Sequence, residues 1–224
     1  MIGEASTTSR ILELLHLPAQ HAPETLREVY GMISVSCGYD NFIREPGGAR
    51  LESVEGEAGS ISRLTFTRDR IVFLEERSRT ALDHFTRRVE AALRVAAPKL
   101  GIPLLIARTV TQRAVAQIPS GERAPGFLAR TLIRIGPEEL QPLGRPAHIV
   151  GVRLDLPPRT PQDGAHRVRV ETYLRDPSSL FLEDIATFKV PVQSLDFAQV
   201  TKELEEVDAF LGDKLTAFLG SLDR

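Results

Sequence analysis

The sequence predicts an α+β protein: a mixed or antiparallel sheet with helices packed on one face and a long C-terminal helix. Three observations carry that expectation. From Ile61 onward, apolar and polar residues alternate with period two in several short runs, among them "HIVGVRLDL" and "HRVRVETYL". Between these runs lie stretches whose apolar residues recur every three or four positions, such as Leu82, Phe85, Val89, Leu93 and Ala96. The chain then closes on Val200, Leu204, Val207, Leu211, Leu215, Phe218 and Leu222, a helical stripe long enough to lie across a sheet.

Each element follows from its own pattern. In "TTSRILELLHL" a Thr or Ser can cap a helix whose face carries Ile11, Leu12 and Leu15. Leu26, Val29, Tyr30 and Ile33 make a second amphipathic helix, so residues 1–35 read as an N-terminal helical extension. Residues 43–60, "IREPGGARLESVEGEAGS", are rich in Gly and Glu and read as a surface loop, with a positive-φ turn at Gly47–Gly48. Leu64 and Phe66, then Ile71 and Phe73 beyond "RDR", predict a hairpin. The helix over 82–96 ends at Pro98 and Gly101, and "IPLLIARTVTQRAVAQI" is a long strand. "GFLARTLIRI" is helical and runs on through "GPEEL". Strands follow at 148–156 and 166–174, and "DPSS" turns the chain into a third, "LFLEDIATF". No change of composition marks a boundary after residue 60, so 1–224 reads as a single domain.

Composition narrows the function by exclusion. Hydrophobic residues make up 42% of the chain and charged residues 26%, the balance of a soluble globular protein. A net charge of −2 gives no overall field toward nucleic acid or anionic membranes, so neither is an expected partner. The most apolar runs are too short to span a bilayer, and the first residues lack the basic and apolar regions of a secretory signal. A single cysteine, Cys37, cannot form an intramolecular disulfide, which points to the cytoplasm; it reads as a small buried hydrophobe.

Catalytic and cofactor signatures are missing. No phosphate-binding glycine loop, zinc-protease helix, paired C-x-x-C or nucleophile elbow occurs. Of the five histidines, His148 and His166 begin antiparallel neighbours and so fall at opposite ends of that hairpin. Asp83 and His84 point about 100° apart on their helix and cannot orient one another. Glu75 and Glu76 read as the solvated end of a strand. The expectation is no cofactor, no metal and no catalytic residue, which leans against an enzyme without excluding one.

The remaining signal is a set of arginines. In the hairpin of 148–156 and 166–174, setting Arg153 opposite Glu171 and Asp155 opposite Arg169 pairs unlike charges, with Tyr173 over Gly151. The neighbouring register sets Arg153 against Arg169 and is the less favourable one on this count. Arg153, Arg167, Arg169, Glu171, Tyr173 and Arg175 are therefore the candidate binding residues, on a sheet face suited to a protein partner.

The segments "IARTVTQRAVAQIP", "LIRIGPEELQPLGRP", "GVRLDLPP", "RVETYLRDPSSLFLE" and "DAFLGDKLTAFL" resemble a loosely defined group of uncharacterised bacterial α+β proteins, over roughly residues 60–222. The resemblance implies one continuous domain and brings no activity with it. Two functions remain open. The first is a non-catalytic interaction or assembly protein, including self-association, working through an exposed sheet face or edge. The second is a small-ligand or anion-binding protein, perhaps an enzyme, with a cleft between sheet and helices and Arg108 and Arg113 as anion ligands.

Overall fold

Ser6–His16 is a strand, β1, and it lies at the centre of the sheet. The expected N-terminal helix is corrected here. Arg10, Leu12, Leu14 and His16 are buried on one side, while Ile11, Glu13 and Leu15 are half-buried on the other. Leucine or isoleucine thus lies on both faces of β1, and a short apolar run of that kind has no period that separates strand from helix. The computed structural model describes residues 2–55, 59–77, 80–118, 122–145 and 147–222.

Helix α1 (Pro23–Cys37) follows, opening on a first-turn proline and closing on Gly38 at φ 69°. Its buried stripe is Leu26, Val29, Ile33 and Cys37; the Cys37 thiol lies 3.8 Å from the Arg88 carbonyl oxygen, and burial pushes its pKa up. Residues 43–55 are not a loop. They form most of a hairpin of β2 (Asn41–Glu45) and β3 (Gly48–Glu55) across Pro46–Gly47, with the expected positive φ at Gly47 (76°). A Cβ on Gly48 would lie 1.8 Å from the Phe66 carbonyl oxygen, so only glycine lets β3 come this close to its neighbour. Ala49, Leu51 and Ser53 face α1, and two small side chains out of three hide the alternation.

Strands β4 (Ser60–Phe66) and β5 (Arg70–Glu76) make the expected hairpin, and helix α2 (Leu82–Lys99) returns over them. A second half begins with β6 (Leu104–Gln117). Helix α3 (Ala124–Leu128) continues into a π-helical turn at Ala129–Ile133, and α4 (Pro137–Leu140) follows. Strands β7 (Gly151–Leu156), β8 (Ala165–Thr172) and β9 (Ser179–Phe188) are next, then a short β10 (Val192–Gln193) beside β6. The C-terminal helix spans 25 residues as α5 (Phe197–Ala209), a π-helical segment at Phe210–Leu215, and α6 (Thr216–Ser221). That π segment shifts the helical phase, so Leu219 is buried where the stripe predicted Phe218, which is 43% exposed.

The strands form one antiparallel sheet in the order β2-β3-β4-β5-β1-β6-β9-β8-β7. The order is nearly symmetric about the β1–β6 pair. Each half opens on a long strand, crosses to a helix, builds an antiparallel meander whose last strand returns beside the opener, and ends on a helix. Helices cover one face. Beneath them lie a cluster built on Leu12, Leu64, Phe73, Phe85 and Leu204 and another built on Phe127, Val170, Leu182, Leu211 and Leu219. Among the described residues no helix packs on the other face.

Charged side chains lie inside the covered face, among them Arg108, Glu203 and Glu75. Arg108, on β6, is 1% exposed and meets Glu203 of α5 through two bonds, one of 2.9 Å from Nε to Oε2. Its remaining Nη1 donates to the Val190 carbonyl, and Gln199 Nε2 donates to Glu203 Oε1 at 2.9 Å. Arg108 is therefore a buried structural residue and is out of reach as an anion ligand. Glu75 is likewise no solvated strand end; it is 5% exposed and accepts from Arg88 and from Ser62 Oγ, the latter at 2.5 Å.

Removing Glu203 leaves a buried guanidinium without its counter-charge. Glu203→Ala should cost about 3–5 kcal/mol in urea unfolding, and the apolar replacement Arg108→Met/Glu203→Leu should recover most of that loss. Equal destabilisation of the single and double variants would show that the pair contributes shape rather than charge.

Candidate functional site

On β8, Val168, Val170 and Thr172 point into the core, which leaves Arg167, Arg169 and Glu171 on the helix-free face. The β7–β8 register is displaced by two residues from the expected one: Arg153 lies opposite Arg169, Asp155 opposite Arg167, and Gly151 opposite Glu171. β8 has a neighbour on each edge, so its charges answer to β9 as well as to β7. On its other edge β8 pairs with β9, which sets Glu183 directly across from Arg169. Arg169 Nη2 reaches Glu183 Oε1 at 3.4 Å, so its charge is answered from β9 and β7 is free to slide. Gly151 fits the observed register closely, since a Cβ there would lie 2.7 Å from the Glu171 Cβ.

Glu183 sits between two arginines, with Arg113 of β6 donating from Nε to Oε2 at 2.7 Å on its far side. One nearly buried carboxylate thus serves two guanidiniums. The Arg169 guanidinium also lies 4.9 Å from the centre of the Phe181 ring, and its Nε has no acceptor among the described residues. Arg167 pairs with Asp155 at 2.9 Å, both largely exposed. Arg153 is exposed and has no carboxylate within ion-pair distance among the described residues.

Beyond β8 the chain turns through Asp176, whose carboxylate accepts from the hydroxyls of Ser178 and Ser179 at 2.5 and 2.6 Å. Those bonds hold the Asp176 carboxyl below its ordinary range and fix the turn that carries Tyr173 and Arg175. The turn places both residues at one end of the open face, in a groove of about 580 Å³. Arg113 and Arg169 form its inner wall, Arg175 and Arg77 stand at its mouth, and residues 6–9 of β1 border one side. Arg77 adopts a left-handed backbone (φ 54°), a strained conformation that lets its amide donate to the Thr8 carbonyl at 2.8 Å. Glu76 is the one lining carboxylate among the described residues. Four guanidiniums around it, with Glu183 behind, leave the groove positive.

Of the sequence candidates, the fold brings Arg169, Tyr173 and Arg175 into this groove. Glu171 flanks it, while Arg153 and Arg167 lie away from it along the same face. Arg77, Phe181 and the β1 hydroxyls have no signal in the sequence, because their approach depends on β1 being a strand.

The helix side of β8 holds a second polar cluster. His166 Nδ1 is 2.7 Å from Asp184 Oδ2, His166 Nε2 is 3.8 Å from Glu206 Oε1, and the Phe210 ring lies 4.5 Å from the imidazole. Burial draws the His166 pKa down, but the hydrogen bond and charge of Asp184, helped by Glu206, outweigh it and the net shift is upward. Burial also pushes the Asp184 carboxyl up, against the pull of His166. A further cleft of about 1320 Å³ lies between α3, α4 and Val150, with Arg130, Arg134 and Arg145 on its walls and Ala129, Ile135 and Val150 on its floor. Among the described residues no three His, Cys, Asp or Glu side chains gather closely enough to hold a metal ion, and no helix is long and apolar enough to cross a membrane. No protein-family model matches the chain, and no curated protein matches it.

Two outcomes follow from these side chains. Both members of the His166–Asp184 pair bind protons more tightly when folded. The His166 contribution is complete below about pH 6.5, the unfolded histidine value, and is lost as pH rises through the folded one, while that of Asp184 is complete only below about pH 4 and declines above it in the same direction. The thermal midpoint should therefore fall on going from pH 6 to pH 8, and His166→Gln should flatten that slope. In double-mutant cycles of alanine variants, Asp155 should couple to Arg167 by about 0.2–1 kcal/mol and be additive with Arg169. Coupling of Asp155 to Arg169 instead would contradict the register.

Proposed function

We propose that the protein is a non-catalytic binding protein that docks an acidic segment of a protein partner on the open sheet face, with the partner's carboxylates in the arginine groove. The observation that carries this reading is the charge excess at the groove, where Arg77 and Arg175 stand exposed beside Arg113 and Arg169, whose own charges are answered by Glu183 and Glu171. Arginine forks match carboxylates bidentately, and the Tyr173 and Phe181 rings beside them give apolar contact of the kind on which interfaces concentrate their energy. No nucleophile–base pair accompanies the groove among the described residues, which favours binding over catalysis. We place the protein in the cytoplasm on the ground that its one thiol is free and buried.

The test is binding of a fluorescently labelled Glu-rich peptide by anisotropy. Affinity should fall as salt rises, and Arg77→Glu/Arg175→Glu should weaken it at least tenfold with an unchanged thermal midpoint, since both side chains are exposed. Affinity that ignores both salt and the double variant would sink the proposal. The cleft beside α3 favours a second reading, a small anionic ligand held by Arg134 and Arg145. That reading requires a phosphorylated metabolite to raise the thermal midpoint, and Arg134→Ala/Arg145→Ala to abolish the rise while Arg77→Glu/Arg175→Glu leaves it intact.

A further inference from the structure

Strand β7 ends the sheet, and its outer edge is unpaired. The Thr172 amide donates to the Val150 carbonyl at 3.0 Å, so by alternation Val150, Val152, Leu154 and Leu156 bond inward to β8. The amides and carbonyls of Gly151, Arg153 and Asp155 therefore point out of the sheet. Two further features lie at this edge. Arg153 faces Arg169 with no carboxylate partner among the described residues. On the helix side Leu154 and Leu156 are 37% and 38% exposed, because the helical turns after β6 end short of β7.

The geometry points to a second copy of this chain as the occupant of that edge, joined by antiparallel β7–β7 pairing about a two-fold axis at Leu154. Outward residues must pair with outward residues, which leaves few registers. Centring on Arg153 sets two arginines face to face, and centring on Asp155 does the same with two carboxylates. Centring on Leu154 puts each Arg153 opposite the other copy's Asp155, twice over, and supplies the carboxylate that Arg153 lacks. The same register brings the two Leu154 side chains together and sets Val152 against Leu156 of the second copy, closing the uncovered apolar strip. Charges on an edge strand ordinarily block pairing; here they disfavour the registers centred on Arg153 and Asp155 and favour the one centred on Leu154. The pairing is isologous, so it closes at two. It involves none of the groove residues and stands whether or not an acidic partner binds there.

Leu154 lies on the axis in a non-hydrogen-bonded pair, where Cα atoms are about 4.5 Å apart, within disulfide reach. Leu154→Cys should form a crosslinked dimer under mild oxidation, and the wild type should not, its Cys37 being buried. Val152→Cys and Leu156→Cys should each stay uncrosslinked alone and crosslink when mixed. In sedimentation equilibrium, Asp155→Arg should raise the dimer dissociation constant at least tenfold, and Arg153→Asp/Asp155→Arg should restore the wild-type value. Both positions are exposed, and circular dichroism checks that the variants fold. A wild type that stays monomeric at all concentrations would overturn the proposal. So would a dimer indifferent to Asp155→Arg, or crosslinking of Val152→Cys with itself.

Discussion

The antiparallel pairing of β1 with β6 holds the two halves of the molecule in one sheet. It runs from Ser6 opposite Val115 to His16 opposite Leu105, with irregularities between Thr7 and Ser9 and between Leu15 and His16. The first irregularity lies where Ser6 to Ser9 border the arginine groove, as expected of bulges, which bend a strand and re-aim its side chains. On the covered face the same pairing sets Arg10 beside Gln112, and both donate to Asp208, at 3.1 and 2.8 Å. The C-terminal helix is thereby tied to one strand from each half just before its π segment. The groove, the helix-side network and the two cores all take their positions from this seam.

Much of this was legible locally. Helix α2, strands β4 to β6 and β8 to β9, and the C-terminal helix show their periods because each has one wet side and one dry side. The unreadable parts are those where that contrast is absent. β1 sets Ile11 and Leu15 on the open face opposite its buried Leu12 and Leu14, and β3 buries alanine and serine where a larger side chain would have signalled a core. The β7–β8 register failed for a different reason. Charge complementarity across a strand pair is a valid rule, but Glu183, thirty positions along the chain from Arg153 of β7, belongs to the next strand over. The groove needed β5, β1, β6 and β8 to be placed together, which local pattern does not provide.

The two faces use charge differently. Under the helices, Arg108–Glu203 and Arg88–Glu75 are matched one to one and shielded from water, which fixes where α5 and α2 sit. On the open face one carboxylate is shared between Arg113 and Arg169, and Arg77, Arg153 and Arg175 stand exposed beyond it. Matched buried pairs hold a fold in register, whereas shared and unmatched exposed ones leave interaction energy for another molecule.

The single cysteine gives the chain a built-in chemical clock for one half. Cys37 closes α1 with its thiol against the backbone of α2, 2% exposed. A thiol-specific reagent must wait for those two helices to part, so its rate of reaction measures the opening of the first half alone. Comparing that rate with global unfolding would tell whether the β1–β6 seam makes the two halves open as one unit or lets the first breathe while the second stays closed.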